Sequence, residues 1–245
     1  MFAAGKELFP DIGRLSYRCA EYETWARQTV AHNTVVLGRR SQRPDDGTVI
    51  ASGKVGPADV VIGESRGAYG GAVLRRALIL LPGGVLVDLF RVEQRGKGTL
   101  TEWVLHGTPP MALVGAGARE ALAAPLHTSD GYQHLADLER GELAETARVE
   151  WQVTPERTYS TWLLQADGEQ ETLYTATGIG FSLTQRLPLV IRSREMAPVT
   201  VFAAVHAPGD GTGEAWYLES AEGVTVVSGP SGRITWDGEA VVTVE

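Results

Sequence analysis

Cysteine is almost absent from this sequence: Cys19 is the single one among 245 residues. One thiol excludes an internal disulfide framework and any multi-cysteine metal site, and no histidine lies near it in sequence to activate it. It leaves the compartment open, since many exported proteins also lack disulfides. Long apolar runs are missing too. No stretch approaches the roughly 18 consecutive apolar residues of a membrane span. The opening MFAAGKELFPDIG has no apolar run suited to a signal peptide. Positive charge is in deficit, with 22 Lys and Arg against 30 Asp and Glu and a formal net charge of −8. Nucleic acid and anionic membranes are therefore excluded as general partners, because neutralising their phosphates needs the opposite balance. Helical periodicity is scarce, with candidate pieces only near 118–123 and 132–138 inside the irregular stretch 107–147.

What is present is strand-like. Short runs rich in Val, Leu, Thr and aromatics recur at 29–37, 73–81, 85–94, 99–106, 149–154, 159–165, 171–177, 187–192, 199–206, 215–220, 223–228, 233–236 and 241–244. Gly, Pro and Asp separate them, as in Pro82-Gly83-Gly84, where glycine tolerates the positive φ of a tight reversal. Many strands at this spacing, without intervening amphipathic helices, predict an all-β fold. That fold is a large antiparallel β-sandwich, of supersandwich type, with little helix. Residues 1–20 read as an extended lead-in and 21–245 as the sandwich domain. There is no internal repeat.

Most informative is the run from Trp25 to Leu37, in which His32 and Asn33 sit side by side among apolar residues. Burying two polar groups is costly unless each finds a partner. One reading is a histidine satisfied by a backbone carbonyl, and the other is a ring at a functional cleft. On a regular strand His32 and Asn33 point to opposite faces, so the chain must bulge or end there if both serve one cavity.

The stretch from Trp25 to Gln42 resembles the start of the sandwich domain in heparinase II/III-like polysaccharide lyases, whose pattern is approximately W-x-R-x-T-x-A-H-N-T-V-V-V-D-G-x-x-Q. Tyr69-Gly70-Gly71, Leu74-Arg75-Arg76 through Asp88, Trp103 with His106, Gly131-Tyr132 and Arg194-Glu195 resemble later signatures in the same order, so the likeness covers about residues 10–245. The resemblance implies β-elimination on a uronic-acid polysaccharide. It also implies that base and acid come largely from a helical toroid domain preceding the sandwich. Nothing here offers its amphipathic helices, so this chain is expected to be a portion of the enzyme with little or no turnover alone. By the same resemblance His32 neutralises the uronate carboxylate and Asn33 is a secondary donor. Arg39, Arg40, Gln42, Arg76 and His106 are the residues expected to meet the acidic sugar. The dull reading of Arg39–Arg43 is a solvated loop, and of Arg75 and Arg76, which alternate in direction, a surface ion pair. The compartment stays open, with the resemblance favouring a secreted or periplasmic one.

Some relatives hold zinc through a His-x-His pair in this strand, but the second position here is Thr34 and the other histidines are scattered. No metal and no cofactor are expected. The six tryptophans read mainly as core anchors, with one or two available to stack on sugar rings. The expected partners are an acidic polysaccharide, the helical toroid domain and, through the sheet face that domain would cover, a second copy of the chain. Two other classes stay open. One is a non-catalytic carbohydrate-binding or scaffolding module. The other is an epimerase-like enzyme using His32 or His106 with Glu102.

Overall fold

The computed structural model describes residues 1–3, 5–12, 15–143, 147–166, 169–209, 215–221 and 223–245. Three antiparallel sheets stack as layers. The largest has eight strands in the spatial order Thr48–Val55, Ala58–Ser65, Ala72–Leu81, Val85–Gln94, Val199–Pro208, Arg157–Leu164, Arg148–Thr154 and Met111–Val114. On one side lies a six-stranded sheet, ordered Glu120–Ala121, Ala136–Glu142, Thr172–Ile179, Arg186–Arg194, Thr101–His106 and Val35–Leu37. On the other lies a four-stranded meander, Tyr217–Ala221, Val224–Gly229, Gly232–Trp236 and Val242–Val244. A short pairing of Phe2–Ala3 with Lys6–Glu7 precedes them. Among the described residues no helix is long and apolar enough to cross a membrane.

Side-chain alternation explains the stacking. Along Val199–Pro208, Phe202 and Ala204 face the six-stranded sheet while Ala203, Val205 and Ala207 face the meander, so eight consecutive residues are buried. A strand covered on both faces needs apolar residues at both parities, which is why it reads as a continuous apolar run. The layer between the two large sheets holds Trp103, Leu105, Phe90, Trp151 and Phe202. The layer toward the meander holds Ile62, Ile79, Leu89, Trp216 and Trp236.

A third layer covers the outer face of the six-stranded sheet. Here the N-terminal segment and residues around 132 supply Ile12, Leu15, Trp25, Val30, Tyr132 and Leu135, packed on Val104, Tyr174, Leu189 and Ile191. Trp25 lies flat enough on the sheet that a Cβ at Gly178 would come within 2.7 Å of its ring. Only glycine fits that position. Leu8 and Phe9 are likewise buried, in the layer between the large sheets.

The structure corrects several expectations. The run 29–37 is not one strand: Thr29–Ala31 forms a single tight helical turn and only Val35–Leu37 joins a sheet. The side chain of Thr29 accepts from the Gln42 amide at 2.7 Å, and the Ser41 hydroxyl accepts from the Thr29 amide at 3.2 Å. These contacts take the segment out of the ladder. The candidate helix at 132–138 is one turn, Tyr132–His134, followed by the strand Ala136–Glu142. The hairpin of Thr48–Val55 and Ala58–Ser65 was missed because its edge strand is mostly exposed and carries little apolar alternation. All six tryptophans are buried, so none offers an open ring to a sugar.

Candidate functional site

The turn at Thr29–Ala31 delivers His32 in extended conformation, with φ −122° and ψ 159°, at the rim of the outer layer. Its side chain is 30% exposed. Nδ1 lies 2.9 Å from Asp11 Oδ1, and Nε2 lies 3.0 Å from the Ala26 carbonyl oxygen. Both partners accept, so both ring nitrogens donate, and the form that satisfies both is the imidazolium. The hydrogen bond that His32 donates to Asp11 raises the His32 pKa, against the opposing effect of partial burial.

Asn33 turns the other way and its carboxamide is fully engaged. Nδ2 donates to the Pro10 carbonyl at 2.8 Å, and Oδ1 accepts from the His106 backbone amide at 2.6 Å. The Asn33 carbonyl accepts from Arg76 Nη1 at 2.8 Å. Asn33 therefore clamps three segments: the N-terminal one, the end of Thr101–His106, and the strand Ala72–Leu81. The two neighbours thus take different partners, and the strand begins only at Val35.

The remaining expected site residues divide by what they touch. The His106 ring is completely buried, its Nε2–H donating to the Val30 carbonyl at 2.8 Å. Burial pushes its pKa down to about 4, so it is a neutral group of the outer layer. Arg76 grips Asp88 through Nε and Nη2, at 2.8 and 2.7 Å. Asp88 is fully buried, which opposes its ionisation, but the Arg76 charge and the hydrogen bonds of His206 and Arg76 hold its pKa well below the usual carboxylate range. Arg39, with a positive φ of 57°, turns inward to Glu102 at 3.0 Å and the Leu126 carbonyl at 2.7 Å. Tyr132 donates to the other oxygen of Glu102. Arg40 and Gln42 are exposed.

A groove of about 360 Å³ runs past Thr34, Gln42, Gly63, Glu64, Arg76 and Phe90. It brings Gln42 and Arg76 together, beside the carbonyl of Asn33. A larger apolar groove of about 1120 Å³, lined by Met1, Phe2, Leu80, Tyr159 and Pro208 among others, holds none of these residues. Reading the sequence did not single out Asp11, the carboxylate beside His32, because nothing in its local pattern is distinctive. Asp88 did stand in the signature that runs from Arg75 and Arg76, but its pairing with Arg76 across the hairpin was not read from it. The epimerase-like pairing is not formed, since Glu102 is occupied by Arg39 and Tyr132 while His106 bonds to Val30.

Three stacked antiparallel sheets define a large all-β sandwich. The chain belongs to the heparinase II/III-like, C-terminal family, whose model matches residues 1–197. The match includes the His32 region and ends before Val199–Pro208 and the meander, whereas the likeness read from the sequence ran over about residues 10–245. No curated protein sequence matches the chain. Among solved structures, a heparinase III aligns at 15% identity and TM-score 0.65, covering 95% of this chain and 34% of that one. The heparan sulfate lyase HepC from Pedobacter heparinus aligns at 13% identity and TM-score 0.66, covering 100% and 35%. At such identities the likeness is one of fold. The chain spans about a third of the length of these structures.

Proposed function

We propose that this chain is the β-sandwich portion of a polysaccharide lyase acting by β-elimination on uronic-acid polysaccharides, and that turnover requires a helical toroid domain. In β-elimination the proton α to the sugar carboxylate is removed by a base. The bond from the β carbon to the glycosidic oxygen breaks, a double bond forms between the two carbons, and an acid protonates the leaving oxygen. The α proton is too weakly acidic to leave unless the carboxylate charge is neutralised. His32 supplies that charge. The observation that carries this reading is its environment: a partly exposed ring between two acceptors, favoured as the cation.

Arg40 and Gln42 add exposed donors nearby, whereas Arg39, Arg76, Asn33 and His106 hold the rim in shape. Base and acid come largely from the helical domain. Since HepC is a heparan sulfate lyase, heparan sulfate oligosaccharides are the first probe, with alginate oligosaccharides beside them. Calorimetric titration of this chain is expected to show binding that His32→Ala abolishes. Ultraviolet absorbance of unsaturated product is expected to rise only when a helical toroid domain is supplied with the chain. Binding without product in that mixture is the result expected of a carbohydrate-binding module, and it would overturn the lyase reading.

A further inference from the structure

Two hydrogen bonds join the N-terminal segment to the His32–Asn33 pair. Asn33 Nδ2 fixes the Pro10 carbonyl at 2.8 Å. From the next residue the Asp11 carboxylate reaches His32 Nδ1 at 2.9 Å. The segment is itself anchored: Leu8 and Phe9 are buried, and the Thr108 amide donates to the Leu8 carbonyl at 2.9 Å. Asp11 is thus presented from a fixed backbone, although its carboxylate is largely exposed.

We infer that Asp11 is a positioning residue, holding the His32 ring in one orientation and in its doubly protonated form. The inference rests on the reading of His32 given above and says how that ring is kept ready. The two ring protons are held unequally. Nδ1–H faces an ionised acceptor and Nε2–H a neutral carbonyl, and charge-assisted hydrogen bonds are about twice as strong as neutral ones. An incoming carboxylate therefore competes with Ala26 for the Nε2 proton and leaves the Asp11 contact in place. Carboxylates behind histidines fix ring orientation and tautomer in the same way at metal sites. Among the described residues, the groups acting electrostatically on this ring are Asp11 and, across the outer layer, His106, which is held neutral by burial.

The test is nitrogen-15 NMR of the His32 ring in the full chain, comparing the wild type with Asp11→Asn and Asp11→Glu while circular dichroism verifies the fold. The titration midpoint of His32 is expected to move to lower pH in Asp11→Asn and to return upward in Asp11→Glu. Binding of a glucuronic-acid oligosaccharide is read in the same samples, and its pH profile is expected to shift downward with the ring. An unchanged midpoint in folded Asp11→Asn overturns the inference. So does tighter sugar binding by that variant, which would make Asp11 a competitor sitting in the ligand's place. A midpoint that shifts while no sample binds the sugar upholds the role of Asp11 and instead overturns the lyase reading of His32.

Discussion

His32 and His106 lie against the same short segment and differ in everything that decides protonation. His106 is sealed inside, with one acceptor at Val30 and an Nδ1 that finds no partner among the described residues, so desolvation dominates and the ring is neutral. His32 sits at the rim with acceptors on both nitrogens, so its hydrogen bonds outweigh partial burial and the cation is favoured. The interior settles its polar groups internally. The rim keeps a charge within reach of solvent. The same contrast separates the arginines: Arg76 and Arg39 are spent on Asp88 and Glu102, while Arg40 stays outside. Charged residue type therefore says little about a site until the partners are counted.

The strongest way to break the interior side of this contrast is at Glu171, between the two large sheets. Its oxygens accept from Arg192 at 2.7 and 2.8 Å and from Arg194 at 2.8 and 2.6 Å. Glu171 and Arg192 are fully buried. Arg192 also reaches across to the Ala203 carbonyl at 2.7 Å, tying one sheet to the other. Glu171→Gln leaves buried guanidinium charge without its counter-ion and is expected to cost about 3–5 kcal/mol in urea unfolding. The His32 titration should stay unchanged, because the cluster lies on the other face of the six-stranded sheet.

Acid comes next. The His106 pKa is about 4 when folded, against an ordinary 6.5. The unfolded chain thus binds the extra proton first, and stability falls as pH drops from about 6.5 toward 4, by roughly 3 kcal/mol from this group. His32 acts in the opposite sense. Its folded pKa is raised, so its contribution is present in acid and is lost as pH rises through the folded value. Denaturation midpoints measured against pH should flatten on the acid side in His106→Gln, whose carboxamide can still donate to Val30. An unaltered acid slope in that variant would show that the ring is not the source.

Much of this fold was legible because paired burial leaves a sequence signature. Runs such as Val85–Gln94 and Val199–Pro208 are long, apolar and bounded by turn residues, and the glycines of the reversal at 82–84 do adopt positive φ. The edge hairpin of Thr48–Val55 was not legible, since a strand exposed along most of its length has no need of alternation. The rim was half legible. An adjacent His and Asn in an apolar run are conspicuous, so His32 and Asn33 stood out, but the tight turn at Thr29–Ala31 that precedes them, with the strand starting only at Val35, did not. What each side chain does was not legible, because Pro10, Asp11, Ala26 and His106 reach them through folding and not through spacing.

Asn33 sharpens the comparison from the rim side. Asn33→Ala would strand the His106 amide and the Pro10 carbonyl and remove the anchor beside Asp11. A loss of about 1–3 kcal/mol is expected, the cost of leaving buried partners unsatisfied. Because the anchor also places Asp11, the His32 midpoint should fall in this variant. A stability loss with an unmoved midpoint would mean that Asp11 holds its place without Asn33.

The smallest stability effect is expected at the most informative residue. The His32–Asp11 pair is partly exposed on one side and largely exposed on the other, and such pairs contribute about 1 kcal/mol or less. His32→Ala should therefore unfold within that margin of the wild type while losing its affinity for uronic-acid oligosaccharides. His106→Ala, by contrast, opens a cavity among Trp25, Val30 and Val104 and should be destabilising. The dissociation between stability and binding is the point: a ring retained for packing would show the reverse order. If His32→Ala proved as destabilising as His106→Ala and bound the sugar unchanged, the rim histidine would belong to the architecture and not to the ligand.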